Sequence, residues 1–305
     1  MITNYFISPH PLLEPFLDNY IFSTSNNEKI KLVNTWPASN ETSLVFYLSD
    51  HPFHYKNENI SSPLNYNKGC IVGLQSVCNG TVSFYGVYRT FMIQFKANGF
   101  NKLFEIPATY LINKLYHLDD VFGNETKQLN DKLQHTKDVE QMACFADEFL
   151  LSFLKKQKNI YHGTDGITYV SNKLFSTETL MNIDQCACYA NMSARNFGRR
   201  FSEQVGVSPK LYLRLLRFNK AMLIKAKKPD ANWTSIAYKC GYYDQMHLIK
   251  DFKEFANTNP STFFKKADTN SSQKIKKQNG MDDISEETAT SVVEEKFVTI
   301  KRSSF

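Results

Sequence analysis

Two sets of side chains recur at matching positions in the C-terminal half of the chain. The first is Arg195, Gly198, Arg199 and Ser202; the second is Gln245, Met246, His247 and Lys250. In the first, Phe197 and Phe201 are four apart and require a buried helix face. At 100° per residue Arg195, Arg199 and Ser202 then fall on the opposite side. Arginine on such a face suits bidentate contact with guanine O6/N7 or with phosphate. Gly198 has no side chain to read with, and lets a helix approach a surface closely at some cost in helix stability. In the second set Leu248 and Phe252 face inward, with Met246, His247 and Lys250 on the far side and Gln245 near the helix start. Glutamine can pair with adenine, methionine can touch a thymine methyl, and lysine can take guanine or phosphate. The plain alternatives are a solvated cationic face for the first set and an exposed, partnerless histidine at His247.

The elements that must position these side chains are a helix-turn-helix unit from Ile183 to Pro209 and another from Trp233 to Pro260. Each has the order short apolar helix, tight turn, polar helix, loop, proline. In the first unit Asn191 sits at the turn, where a left-handed residue is needed, and Ser193 is a good N-cap. Gly241 takes the turn in the second. Between them, Ser208 as N-cap and Pro209 at the first helical position start a helix to about Ala226. That rod is about 27 Å long at 1.5 Å per residue, and can fix the distance between two reading heads. Arg214, Arg217 and Lys220 on it either touch a nucleic-acid backbone or brace the two units.

These residues resemble the AraC/XylS family of bacterial transcription regulators. The resemblance runs from about Met181 to Lys266. It rests on C-A-x-x-A-N-M-S-x-R-N-F-x-R-x-F at 186–201, G-V-S-P-K-x-Y-L at 206–213 and R-F-N-K-A at 217–221. It is completed by I-A-Y-K-C-G-Y-Y-D-Q-M-H-L-x-K-D-F-K at 236–253 and T-N-P-S-x-F at 258–263. It implies a DNA-binding transcription regulator, more often an activator acting with RNA polymerase than a repressor, that binds promoter double-stranded DNA. It places Arg195, Gly198 and Arg199 in one major groove and Gln245, Met246, His247 and Lys250 in the next. Asn191 and Asn257 stand where the family usually has glycine, and Tyr242 and Leu248 replace phenylalanines. Gly198 replaces a side chain that often reads DNA, so the first unit would mostly position while the second specifies.

Charge follows the same division. Residues 161–267 carry 16 Lys and Arg against 8 Asp and Glu, whereas residues 1–160 carry 14 against 15 and residues 268–305 carry 6 against 7. The excess positive charge lies where phosphate would be met. The expected architecture is an α+β N-terminal sensor-like or dimerisation domain (1–160), β-rich and then helical. It is joined to an all-α domain of two helix-turn-helix units linked by a long helix (161–267), followed by a disordered tail (268–305). Strands are expected at Thr42–Leu48, Cys70–Leu74, Thr81–Val87 and Tyr88–Phe95, and helices at Asn124–Gln134 and Asp138–Lys156. Val139, Met142, Ala146, Phe149 and Phe153 form a stripe that packs on its own sheet or serves as a dimer seam. A hinge is expected at Gln157–Asp165. The strand aromatics Trp36, Phe46, Tyr47, Phe84, Tyr85, Phe91 and Phe95 are either plain core or the lining of an effector pocket.

No catalytic arrangement stands out, and neither a metal site nor a cofactor is expected. His51 and His54 lie in a polar loop without a third ligand. Cys186 and Cys188 point roughly 200° apart on one helix and cannot share an ion. Cys78 lacks a base to make it a thiolate. An enzyme carrying the DNA-binding unit as an appendage would need an activated cysteine that none of Cys70, Cys78 and Cys144 provides. The start MITNYFISPH has no signal-peptide pattern, and no run of about 18 apolar residues exists, so a cytoplasmic protein away from membranes is expected. The remaining partners to weigh are a small-molecule effector and a second copy of the chain. The competing reading of the whole is a ligand- or protein-binding module with a vestigial DNA-binding domain.

Overall fold

The computed structural model describes residues 2–25, 31–49, 53–57, 64–66, 68–157, 165–176, 181–264 and 295–300. Strands β1 (Ile2–Ile7), β2 (Leu17–Ser25), β3 (Lys31–Thr35), β4 (Thr42–Tyr47), β5 (Phe53–Lys56), β6 (Leu64–Tyr66), β7 (Gly69–Val72), β8 (Thr81–Tyr85) and β9 (Tyr88–Phe95) come first. Helix α1 (Gly99–Phe104), β10 (Leu115–His117), α2 (Leu118–Phe122), α3 (Asn124–His135) and α4 (Val139–Lys156) follow. The remainder is helical: α5 (Gly166–Ser176), α6 (Ile183–Tyr189), α7 (Ala194–Val205), α8 (Pro209–Lys227), α9 (Trp233–Lys239) and α10 (Gln245–Ala256), with a last strand β11 (Glu295–Ile300).

The strands form a seven-stranded sheet of order β10-β7-β4-β9-β2-β1-β11 and a four-stranded sheet of order β3-β8-β5-β6. Burial on both faces explains why β4 reads as a nearly unbroken apolar run rather than an alternation. Leu44 and Phe46 point into the core beneath the helices, together with Phe91, Ile93 and Phe95 of β9. Val45 and Tyr47 point the other way, to a smaller core with Tyr55, Cys70, Trp36 and Phe53. Of the aromatics weighed as a pocket lining, Phe46, Phe91 and Phe95 are fully buried, Trp36 and Tyr47 belong to the smaller core, and Tyr47 stacks on Phe53 with ring centroids 4.8 Å apart. The stripe on α4 packs on its own sheet, with Met142, Ala146 and Phe149 in the core and Val139 and Phe153 against it.

The tail departs from expectation. Residues 295–300 are not disordered: β11 pairs in parallel with β1, from Ile2↔Glu295 to Ile7↔Ile300. Its partner lies at the far end of the chain, where local reading cannot find it. Residues 268–294 and 301–305 lie outside the described residues, as do His51 and most of the expected hinge. The two edges of that hinge are anchored. Gln157 donates to the carbonyls of Lys102 and Leu103 at 2.6 and 2.9 Å, and Asp165 pairs with Lys102 at 2.8 Å.

The helical domain docks on the β-rich one at both of its units. Ala38 and Leu74 enter the helical core. The Ala38 N–H donates to the Phe255 carbonyl at 2.7 Å, next to the end of α10. At the first unit, Asn98 donates to Thr168 and to Gln204, each at 2.9 Å. Beside it the Lys102–Asp165 pair, each side chain 7% exposed, crosses from α1 to the start of α5. Gly206 ends α7 at φ 90°, and a Cβ there would stand 2.6 Å from Ile112 of the β-rich domain. Glycine meets both demands at once.

Candidate nucleic-acid interface

Each helix of the two units begins on a side chain that accepts a backbone N–H, so the ends are defined by chemistry and not by packing alone. Asn182 and Gln185 make a reciprocal capping box on α6. Ser193 caps α7, Ser208 caps α8 ahead of Pro209, Asn232 caps α9 and Asp244 caps α10. The turns have the left-handed residues anticipated for them: Asn191 at φ 53°, Gly241 at φ 70°, and Asn257 at φ 52° after α10. Helix α5, unforeseen from sequence, completes the first unit by burying Ile167, Val170 and Leu174 in the shared core. Its weak amphipathic run lies between residues outside the described set, with no strong cap to announce it.

The first reading face lies on α7. Phe197, Phe201 and Val205 are buried, while Arg195 and Arg199 are exposed. Arg199 is folded back along its helix, 2.7 Å from Glu203 and 3.2 Å from Asn196 Oδ1. An exposed i,i+4 pair of this kind is worth only a few tenths of a kcal/mol, so about 0.3–0.5 kcal/mol holds the arginine from a better anion. Ser202 donates to the Gly198 carbonyl at 2.9 Å, which turns its hydroxyl onto its own helix. A Cβ at Gly198 would meet nothing within 4 Å.

The second face lies on α10. Leu248, Phe252 and Phe255 are buried; Met246 is 59% exposed and Lys250 is exposed. Gln245 accepts from Thr234 of α9 at 2.7 Å, a contact that orients its amide. The Asp244 carboxylate takes both the His247 backbone N–H and its ring Nδ1 at 2.8 Å. The backbone N–H and then the ring hold the Asp244 carboxyl below the usual range. His247 is therefore partnered, with its second ring nitrogen left for a ligand.

Of the three basic residues considered on the joining helix, Arg214 is a brace. It lies 2.7 Å from Asp251 and 2.6 Å from Glu254, with its guanidinium 4.8 Å over the Phe255 ring. Sequence reasoning passed over Tyr243, which is 85% exposed and meets His247 edge-on at 5.9 Å. The signal was the doublet after Gly241: Tyr242 turns in and its neighbour must turn out. Cys70, fully buried, has its thiol pushed up to about 12 by burial, far from a nucleophile's range. No group of three metal-ligating side chains occurs among the described residues, and no helix among them is long and apolar enough to cross a membrane.

Residues 186–266 match the helix-turn-helix domain family. The same part of the chain is 34% identical over 84 residues to the transcriptional regulator MtrA of Neisseria gonorrhoeae, 28% of each protein. It is 35% identical over 80 residues to the transcriptional activator RhaS of Escherichia coli O139:H28, 26% of this chain and 28% of RhaS. The chain thus matches little more than a quarter of the length of these relatives. Among solved structures, ToxT from Vibrio cholerae O395 is 14% identical, covering 86% of this chain and 96% of its own, with a TM-score of 0.43.

Proposed function

We propose that this chain, which carries a tandem helix-turn-helix domain of the AraC/XylS type, is a sequence-specific DNA-binding transcription regulator. The observation that carries this reading is the pair of capped helices, α7 and α10, each presenting outward the side chains that read or grip a duplex, on either side of α8. Arg195 and Arg199 supply affinity and register, and Gln245, Met246, His247 and Lys250 supply most of the base readout. Activation through RNA polymerase is the mode we favour, since RhaS is named as an activator. An effector has a place to act in a cleft of about 570 Å³ between the domains, where Glu14 and Lys96 face Tyr169 and Lys173. A small anionic molecule suits those two lysines.

The test is selection of bound sites from a random duplex pool, followed by affinity measurements over a range of salt. An asymmetric motif of about 15–20 bp, read in two successive grooves, is expected. Arg199→Ala should weaken binding to every duplex. Gln245→Ala should cost about 1–3 kcal/mol on the selected site alone. Equal affinity for all duplexes at moderate salt would end this reading and leave the ligand- or protein-binding module in its place.

A further inference from the structure

We infer that the cleft between α8 and α10 is a seat for one phosphate of the DNA backbone, gripped by Arg217 and Lys250. This rests on the reading of the chain as a DNA-binding regulator, and adds to it a phosphate contact in which Arg217 of α8 joins Lys250 of the second reading face. The cleft holds about 340 Å³ and opens beside Lys250 and His247, on the flank of the second reading helix.

The two arginines of the cleft differ in how far their charge is already used. Arg214 makes two hydrogen bonds to Asp251, at 2.7 and 3.1 Å, and two to Glu254, at 2.6 and 3.1 Å. One guanidinium thus serves both carboxylates with four of its five N–H groups. Arg217 is in the opposite state. Its guanidinium carbon sits 5.2 Å over the Tyr242 ring, and its one protein bond, to the Gly241 carbonyl, is long at 3.4 Å. Its Nε is buried with no hydrogen-bond partner. A buried donor left unpaired costs about 1–3 kcal/mol, so the arrangement asks for an acceptor that the protein itself does not supply. The Tyr242 hydroxyl on the same wall is buried and turned to the Asp251 carboxylate, so Arg217 is the donor left without a partner. Lys250 has no salt-bridge partner among the described residues.

Counted together, Arg214, Arg217 and Lys250 outweigh Asp251 and Glu254 by one positive charge. The unfavourable groups are the Asp251 and Glu254 carboxylates; Arg214 pairs with both, and the Tyr242 hydroxyl also faces Asp251. A planar guanidinium over an aromatic ring, in a cleft that Lys250 also lines, fits a phosphate oxygen. The occupant is a backbone phosphate and not a free anion, because the mouth lies beside side chains assigned to the groove. Such a contact would tie α8 to the duplex and set the register of α10.

The experiment uses the full chain, the selected duplex and a scrambled duplex, with wild type, Arg217→Ala and Arg217→Met. Methionine keeps an apolar stem over Tyr242 and removes only the charged head. Both variants should weaken binding to both duplexes by the same factor, about tenfold, and make the salt slope less steep by about 0.9. The ratio of the two affinities should not move, and thermal unfolding of Arg217→Met should match wild type. Wild-type affinity and slope in Arg217→Met would overturn the assignment, as would loss of the ratio at unchanged slope, which would make Arg217 a base reader. Inorganic phosphate exchanged for chloride at constant ionic strength should not compete; competition abolished by Arg217→Met would mark a free-anion site instead. If wild type itself shows no preference between duplexes, the regulator reading fails, whatever the variants do.

Discussion

Gly198 occupies the reading face of α7 with open space where a side chain would be. Its backbone is ordinary helix, so no turn or positive φ requires glycine there. Alanine should therefore stabilise the domain by roughly 0.5–1 kcal/mol, seen as a rise in Tm, through helix propensity alone. If the missing side chain serves a close approach to the duplex, Gly198→Ala will bind DNA more weakly despite that gain. Unchanged or tighter binding would show that the site needs no such approach. The outward set on both helices was readable from helical phase, because the four-apart aromatics fix which side is buried. The engagement of individual groups was not readable. Arg199 on Glu203, Ser202 on its own helix and Gln245 on Thr234 depend on rotamers and on a neighbouring element.

At the scale of elements, caps and turns carried most of the legible signal, since Ser, Asn and Asp at helix starts act through local hydrogen bonds. Helices α3, α4 and α8 and strands β4 and β9 stand within a residue or so of expectation. Strands β1, β2, β3, β5, β6 and β10 were not anticipated. β2 holds Asp18 and Asn19 in its run, and β6 and β10 are three residues each, too short for a period to register. What makes them strands is a partner elsewhere, as Phe22 of β2 finds Phe91 of β9. The Asp244 cap invites a sharper test, because it serves both the helix end and His247. Asp244→Ala should cost about 1 kcal/mol of stability and release the His247 ring. Asp244→Ser should recover the cap but not the ring contact. If both variants bind the selected duplex as wild type does, the orientation of His247 has no part in recognition.

For the molecule as a whole, the charge division sets residues 161–267 apart from residues 1–160, but nothing in the sequence foretold that Ala38 and Leu74 would join the helical core. Such a contact joins surfaces set by two separate folds. Near it lies Glu41, whose carboxyl burial pushes up to about 7, against a hydrogen bond from Gln94 and with Asp18 adding repulsion. A carboxyl raised in this way favours the folded state most below its ordinary value near 4.5, and that contribution is lost as pH rises through about 7. Urea midpoints should therefore fall between pH 5 and 8 by an amount worth roughly 2–3 kcal/mol at most. Glu41→Gln should flatten that fall; an equal slope in the variant would move its origin to another group. A last consequence follows from β11. The chain leaves the β-rich domain after α4, builds both helix-turn-helix units, and returns to lie along β1. The helical domain is a loop closed on one sheet, moored fore and aft. A cut anywhere between Phe264 and Glu295 would slip one mooring and bare the backbone edge of β1 to whatever strand comes next.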